Sequence, residues 1–279
     1  MSSSAQAPVI STYSSIMIPM DLRPETIRRA KLATHLADRF SARLIGVAAQ
    51  ELKAPLYFED AASGVESIME MQARQAAKDL AETEAAFKSV TGTRNCVEWR
   101  WALVPPTAYV LEQARAADLI VAAQPNREAP FNPMSVDGGE LVMDAGRPVL
   151  FVPPQTEYLA AKRVIIGWKD SREARRSVWD SLPFLKTAED VILTSTESER
   201  DSLMDVKNYL ATHGIRASLL KRPTPAGPVG DELITVAKLE GADLIVTGAY
   251  GHSRTREWAF GGVTQQLLHH SPICCLMAH

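Results

Sequence analysis

The pentapeptide Ala117-Asp118-Leu119-Ile120-Val121 recurs letter for letter as Ala242-Asp243-Leu244-Ile245-Val246. Behind each copy the same features follow in the same order. There is a loop, a Gly-Gly pair (Gly138-Gly139, then Gly261-Gly262), a short helical stretch, a proline (Pro148, then Pro272) and a last apolar strand. A shared pentapeptide alone is weak evidence, but the shared order behind it makes duplication the better account. The fronts match as well: Ile16–Met20 and Val164–Trp168 are apolar runs that each lead into a helix. The chain therefore reads as two copies of one unit, with residues 1–155 as the first domain and 156–279 as the second. The join falls near Pro153-Pro154, with Gln155–Ala161 as a short linker. A length of 279 residues suits two domains.

In the first copy the strand readings are Ile16–Met20, Arg43–Ala49, Val97–Ala102, Asp118–Ala123 and Val149–Val152. Helices are read from Pro24 to Phe40, Glu66 to Val90, Pro105 to Ala116 and Glu140 to Ala145. In the second copy the strands are Arg163–Trp168, Asp190–Ser195, Ala217–Lys221, Asp243–Thr247 and Ile273–Met277. Its helices begin at Ser171 (a good N-cap), Ser202, Val229 and Val263, and Gly214 closes the second of them. This alternation argues for a parallel sheet with helices on both faces. Ligands of such sheets bind at the carboxyl ends of the strands, where the strand order reverses. Trp99 and Trp101 share one face of their strand, and core packing is the reading given to both. Gln50–Ser67 has no counterpart in the second copy; lid, contact surface and inert loop all stay open for it.

Composition narrows the class. A net charge of −3 with 23% charged residues offers no basic footprint for nucleic acid or an anionic membrane. No apolar run approaches the ~20 residues of a membrane span. Met1–Ser15 lacks the charged and apolar regions of a signal peptide. Of three cysteines, Cys96 stands alone and Cys274-Cys275 are neighbours, which is no disulfide or zinc framework and suits a reducing cytoplasm. His269-His270 are adjacent on a helix and do not face one metal. The expectation is a cytoplasmic protein with no nucleic-acid or membrane partner and no metal site. No G-x-S-x-G or H-E-x-x-H motif occurs, and nothing places a nucleophile beside a base. A dedicated enzyme is thus the lesser reading, with slow ATP hydrolysis left open.

The richest stretch is Val246-Thr247-Gly248-Ala249-Tyr250-Gly251-His252-Ser253-Arg254, continuing to Gly261-Gly262-Val263-Thr264. A strand, a glycine turn and a helix N-terminus make an anion site, and phosphate is the usual anion. Gly248 and Gly251 are read as tight-turn positions that tolerate positive φ. The spacing Gly248-x2-Gly251-x9-Gly261 fits neither a Walker A loop nor a Rossmann fingerprint. It resembles the nucleotide loop of the universal stress protein family. The resemblance runs strongly from Arg163 to His279 and loosely from Ser15 to Pro153.

What the resemblance implies is specific. The fold would be α/β: two tandem flavodoxin-like (Rossmann-like) units, each a five-stranded parallel sheet of order 3-2-1-4-5 with helices on both faces. Val149–Val152 and Ile273–Met277 would pair as edge strands into an internal pseudo-dimer, with a homodimer as a further assembly. The second domain would bind ATP or a related adenine nucleotide, taken with magnesium, and the chain would act as a regulator on an unidentified protein partner. Gly248, Gly251, His252, Arg254, Gly261, Gly262, Val263 and Thr264 would surround the phosphates, and Val191 or Ile192 would lie beside the base.

Departures from the family pattern matter as much. Gly262 stands where the family often has a hydroxyl residue, so Thr264 would have to supply one. The family's Asp after the first strand, near adenine and ribose, falls on Asp21 in the first copy; a helix-start role explains that Asp equally well. In the second copy the place is taken by Lys169, with Asp170 one residue late. Lys169 either pairs with phosphate or faces water. Arg172, Arg175 and Arg176 share a helical face, as a solvated surface or a phosphate clamp. The first copy's loop, Gln124–Pro133, holds three prolines that lack N–H donors, and Glu128 and Asp137 add like charge. The first domain is therefore expected not to bind ATP in the family's manner. An interaction module with both sites decayed is the second reading of the whole chain.

Overall fold

The computed structural model describes residues 12–53, 62–125, 132–195, 199–221, 228–251 and 262–279. The first half runs β1 (Ser15–Pro19), α1 (Glu25–Phe40), β2 (Arg43–Ala49), α2 (Ala62–Thr91), β3 (Val97–Ala102), α3 (Pro106–Gln113), β4 (Leu119–Ala123), α4 (Gly138–Asp144) and β5 (Val149–Val152). The second runs β6 (Arg163–Gly167), α5 (Arg172–Leu185), β7 (Asp190–Ser195), α6 (Arg200–Thr212), β8 (Ala217–Lys221), α7 (Val229–Leu239), β9 (Leu244–Gly248), α8 (Gly262–His270) and β10 (Cys274–Ala278).

The strands make one ten-stranded sheet, ordered β3-β2-β1-β4-β5-β10-β9-β6-β7-β8. Each half is thus a 3-2-1-4-5 unit, the second running in mirror order away from the seam. Pairing inside each half is parallel. At the seam β5 pairs antiparallel with β10, with Leu150 opposite Leu276. The pairing expected from the edge strands is therefore present, and it covers two edges that would otherwise expose unpaired N–H and C=O groups.

The sequence dictates this layering directly. Ile16, Met17 and Ile18 are all fully buried, as a strand covered on both faces requires. Ile18, Leu44, Val121, Ile166 and Val246 face α1, α2, α5 and α6. Met17, Ile45, Ile120, Ile165 and Ile245 face α3, α4, α7 and α8. The core crosses the seam: Tyr13, Phe40 and Phe184 meet with ring centroids 5.1 to 5.5 Å apart. Tyr13 Oη donates to the Asp180 carbonyl at 2.6 Å, and Gln124 Nε2 donates to the Ser271 carbonyl at 2.8 Å.

The repeated pentapeptide has a structural job. Asp118 Oδ2 accepts the backbone N–H of Ser14 and Ser15 at 2.8 and 3.0 Å, capping the start of β1. Asp243 accepts the N–H of Lys162 and Arg163 at 3.0 and 3.1 Å, capping the start of β6. The motif therefore pins the central pair of strands in each half.

Two expectations are corrected here. α2 begins at Ala62, so it takes in part of the segment read as an insertion; residues 54–61 of that segment lie outside the described residues. Trp101 is 55% exposed rather than in the core. β3 is the outermost strand: Trp99 still packs on Phe87 of α2 at 5.4 Å, while Trp101 lies further along the same face. Among the described residues, no helix is long and apolar enough to cross a membrane.

Candidate functional site

In the second half β6 lies between β9 and β7, so the strand order reverses at the carboxyl ends of β6 and β9. From β6 the chain passes through Trp168–Ser171 into α5; from β9 it passes through Ala249–Gly251 toward α8. Ser171 caps α5 as expected, its Oγ accepting the Ala174 N–H at 3.3 Å. The first turn of α5 lies directly on the end of β9. A Cβ on Gly248 would stand 2.6 Å from Ala174 N and 2.7 Å from the Glu173 carbonyl carbon. Glycine is required at 248 for close approach. Neither Gly248 nor Gly251 uses the positive φ that glycine tolerates; the left-handed residue of this turn is Tyr250, at φ 55°.

The turn is tied down by its own helix. Tyr250 N–H donates to Thr264 Oγ1 at 3.2 Å, and Thr264 is buried. The Tyr250 phenol lies within 3.5 Å of Gln265 Nε2 and against Gly139 of the first half. Burial pushes the Tyr250 hydroxyl up despite the Gln265 bond. Thr264 thus closes the loop onto the start of α8. Thr264→Val keeps the shape, removes the acceptor and strands a buried N–H; it is expected to cost about 1–3 kcal/mol in urea unfolding.

A carboxylate occupies the other wall. Glu173 is 8% exposed, and its Oε2 would lie 3.3 Å from a Cβ on Gly251, as would Ser171 Oγ. Arg172 reaches Glu173 Oε1 at 3.1 Å and His279 Nε2 at 3.3 Å, and His279 Nδ1 contacts the Ala249 carbonyl at 3.0 Å. Burial works to raise the Glu173 carboxyl, but its own backbone N–H, the Ser171 hydroxyl and Arg172 outweigh that and hold it below the usual range. It is anionic at neutral pH.

The remaining expected residues divide. Gly248, Gly251, Gly262, Val263 and Thr264 belong to the turn after β9 and the start of α8, and among the described residues none lies within 4 Å of a Cβ on Gly262. His252, Arg254 and Gly261 lie outside the described residues. Val191 is misplaced for a base: it pairs with Val164 at the amino end of β7, whereas Thr194 stands opposite Gly167 at the carboxyl end. Three residues of strand put it about 10 Å from the cleft. Lys169 and Asp170 are exposed. Asp170 accepts Arg175 at 2.5 Å, and Arg176 pairs with Asp180 at 2.7 Å, so these arginines serve local ion pairs. Glu173 was not singled out from sequence, though an acid in the first turn after a switch-point strand was the available signal.

The equivalent place in the first half is lined by charged and apolar side chains among the described residues. A cavity of about 30 Å³ remains between Asp21, Arg29, Gln124, Met134 and Gly138, room for one water. Asp21 is 6% exposed and accepts the Arg23 N–H at 3.0 Å, the Arg23 guanidinium at 2.5 Å and the Thr26 hydroxyl, with Arg29 at 3.6 Å. Burial opposes its charge, but Arg29, Arg23 and Thr26 prevail and lower its pKa. Pro24 holds the N-cap position of α1, so Asp21 serves an ion cluster there. Among the described residues no group of three or more His, Cys, Asp or Glu is placed to hold a metal.

The fold is α/β, with one ten-stranded sheet whose strand order reverses once in each half. Residues 173–279 match the model of the Universal stress protein family. The match covers most of the second half, so the resemblance to that family rests there. No curated protein matches the chain. A universal stress protein from Archaeoglobus fulgidus DSM 4304 is similar in structure with a TM-score of 0.67 at 14% identity, over 95% of this chain and 98% of that one. A functionally unknown protein from Pseudomonas aeruginosa PAO1 gives 0.53 at 15% identity, over 97% and 94%. At such identities the likeness is one of fold, and it extends over both halves.

Proposed function

We propose that this chain is a stress-response regulator that binds ATP or a related adenine nucleotide, with magnesium, in a second domain spanning 156–279. The observation that carries the reading is the convergence of Gly248–Gly251 with the first turn of α8 at the reversal of strand order, held by the Tyr250–Thr264 hydrogen bond. Early N–H groups of a helix and a bare loop backbone are suited to phosphate. His252, Arg254 and Gly261 would complete that cradle. The first domain, 1–155, would act as a structural partner, with the Asp21 cluster and Met134 lining only a small cavity at its own switch point. The regulated partner would be another protein, and the chain would work in the cytoplasm without being a dedicated enzyme.

The test is calorimetric titration with ATP and magnesium, after any retained nucleotide has been stripped, with Gly251→Val alongside. A side chain at 251 would crowd Glu173 and Ser171 and stand in the loop. Heat in the native protein and none in the folded variant is the expected result. A flat titration of the stripped protein, with no competition against a labelled nucleotide, would reject the reading. The second reading, an interaction module with decayed sites, is favoured by one observation: the Glu173 carboxylate lies where it repels phosphate. Nucleotide retained through purification counts against that alternative.

A further inference from the structure

The seam occupies the edges of β5 and β10, so the described sheet ends on β3 and β8. Among the described residues, β2 is the only sheet neighbour of β3. β3 is a regular six-residue strand that contains neither proline nor lysine, two common guards of an edge. The carbonyls of Cys96 and Ala102 accept the N–H groups of Leu44 and Gln50 at 2.9 and 3.2 Å. Even-numbered residues therefore turn their backbone groups toward β2. By the strand period of two, Val97, Trp99 and Trp101 turn theirs outward. On the α2 face Trp101 is exposed, as are Leu103 and Val104 just beyond it. On the α3 face Glu98 pairs with Arg100 at 2.7 Å and with Arg43 at 3.3 Å, and all three side chains remain partly in solvent.

We propose that β3 is a homodimerisation edge: two copies of this chain join antiparallel through it, centred on Trp99, and their sheets become one. The edge is self-complementary in that register. Val97 stands opposite the partner's Trp101 and Trp99 opposite the partner's Trp99, so every outward backbone group falls in a hydrogen-bonded pair. Glu98 stands opposite the partner's Arg100, in a non-hydrogen-bonded pair where side chains approach closest. Charge also selects the register. Centring the pair on residue 98 puts Glu98 opposite the partner's Glu98, and centring it on residue 100 puts Arg100 opposite the partner's Arg100. Like charges directly opposite one another destabilise a sheet. The contact is isologous, so it closes at two copies and leaves no β3 edge open.

The experiment is sedimentation velocity of the full chain over a concentration series, with circular dichroism to confirm folding of each variant. Native protein should sediment as a dimer. Glu98→Arg sets like charges opposite at two symmetric places and should weaken self-association by about tenfold. Glu98→Arg with Arg100→Glu restores the complementarity and should restore the dimer. The register has its own readout. Residue 102 stands opposite the partner's Cys96 in a non-hydrogen-bonded pair, where Cβ atoms come within disulfide reach. Cys96 is exposed, whereas Cys274 and Cys275 are buried. Diamide oxidation of Ala102→Cys should therefore give a covalent dimer, and the same treatment of native protein or of Ala102→Cys with Cys96→Ser should give none. Native protein that stays monomeric, or a dimer that Glu98→Arg leaves at full strength, would overturn the inference. A dimer that Ala102→Cys fails to trap would overturn the register and with it the assignment of β3.

Discussion

Asp21→Ala is expected to destabilise the protein by about 3–5 kcal/mol, the cost of removing one partner from a buried ion pair. Asp21 and Arg29 have side chains only 5% and 4% exposed, so solvent does not screen the loss. Arg29 also donates to the Pro19 carbonyl at 2.9 Å and to Thr26 at 3.1 Å, which fixes it in place when Asp21 is gone. Among the described residues its Nε has no hydrogen-bond partner, so the truncation leaves a buried cation with less compensation still. The pH dependence follows from the lowered Asp21 pKa. A carboxylate with a depressed folded pKa contributes stability that is fully present above its unfolded value, near 3.9. That contribution is lost as pH falls through the folded value. The gap between native and Asp21→Asn should therefore be constant from neutral pH to about 5 and close below about 4. Urea unfolding followed by circular dichroism measures both effects. Asp170→Ala is the matched control: its partner Arg175 is 62% exposed, and exposed pairs contribute about 0–1 kcal/mol. An Asp21→Ala loss no larger than that of the control would remove the cluster from any account of stability.

The fold was legible because its signals are local or repeated. Continuous apolar runs such as Ile16–Ile18 mark strands buried on both faces, and the duplicated Ala-Asp-Leu-Ile-Val marks equivalent strands. Strand order needed the family resemblance, since periodicity does not say which strands are neighbours. Errors arose wherever a residue's role depends on a distant element. Trp101 has the same alternation as Trp99 on the same edge strand, and what tells them apart is α2, whose Phe87 packs on Trp99 while Trp101 stays 55% exposed. Val191 lies in the expected strand but at its amino end, a distinction that requires the register against β6. Asp21 looked like a ligand or helix-start residue because its true partners are cations that sequence spacing alone does not assign. Glu173 is the instructive omission. Spacing puts Arg172, Arg175 and Arg176 on one face, whereas the buried charged residue of that turn is the acid.

Gly248→Ala is expected to cost about 1–3 kcal/mol by overpacking, and Gly248→Val more. Glycine at this position usually invites a phosphate explanation, but the nearest obstacle to a Cβ is protein backbone, at 2.6 Å from Ala174 N. Backbone cannot rotate aside as a side chain can, so α5 would have to lift from the end of β9. That helix contributes Val178, Leu182 and Phe184 to the shared core, and Phe184 meets Tyr13 and Phe40 across the seam. Displacement at its first turn would therefore be felt in both halves. Gly262→Ala is the counterpart: among the described residues nothing lies within 4 Å of its Cβ position, so the substitution should be neutral or stabilise by about 0.4–1 kcal/mol through the unfolded chain. Thermal melts of the two variants separate the roles of the two glycines. A large loss at 248 with none at 262 would mean that the first glycine seats α5, while the last leaves room at the start of α8. Equal tolerance would mean that α5 can move away from β9, and a close approach by ligand would then be the better reason for Gly248.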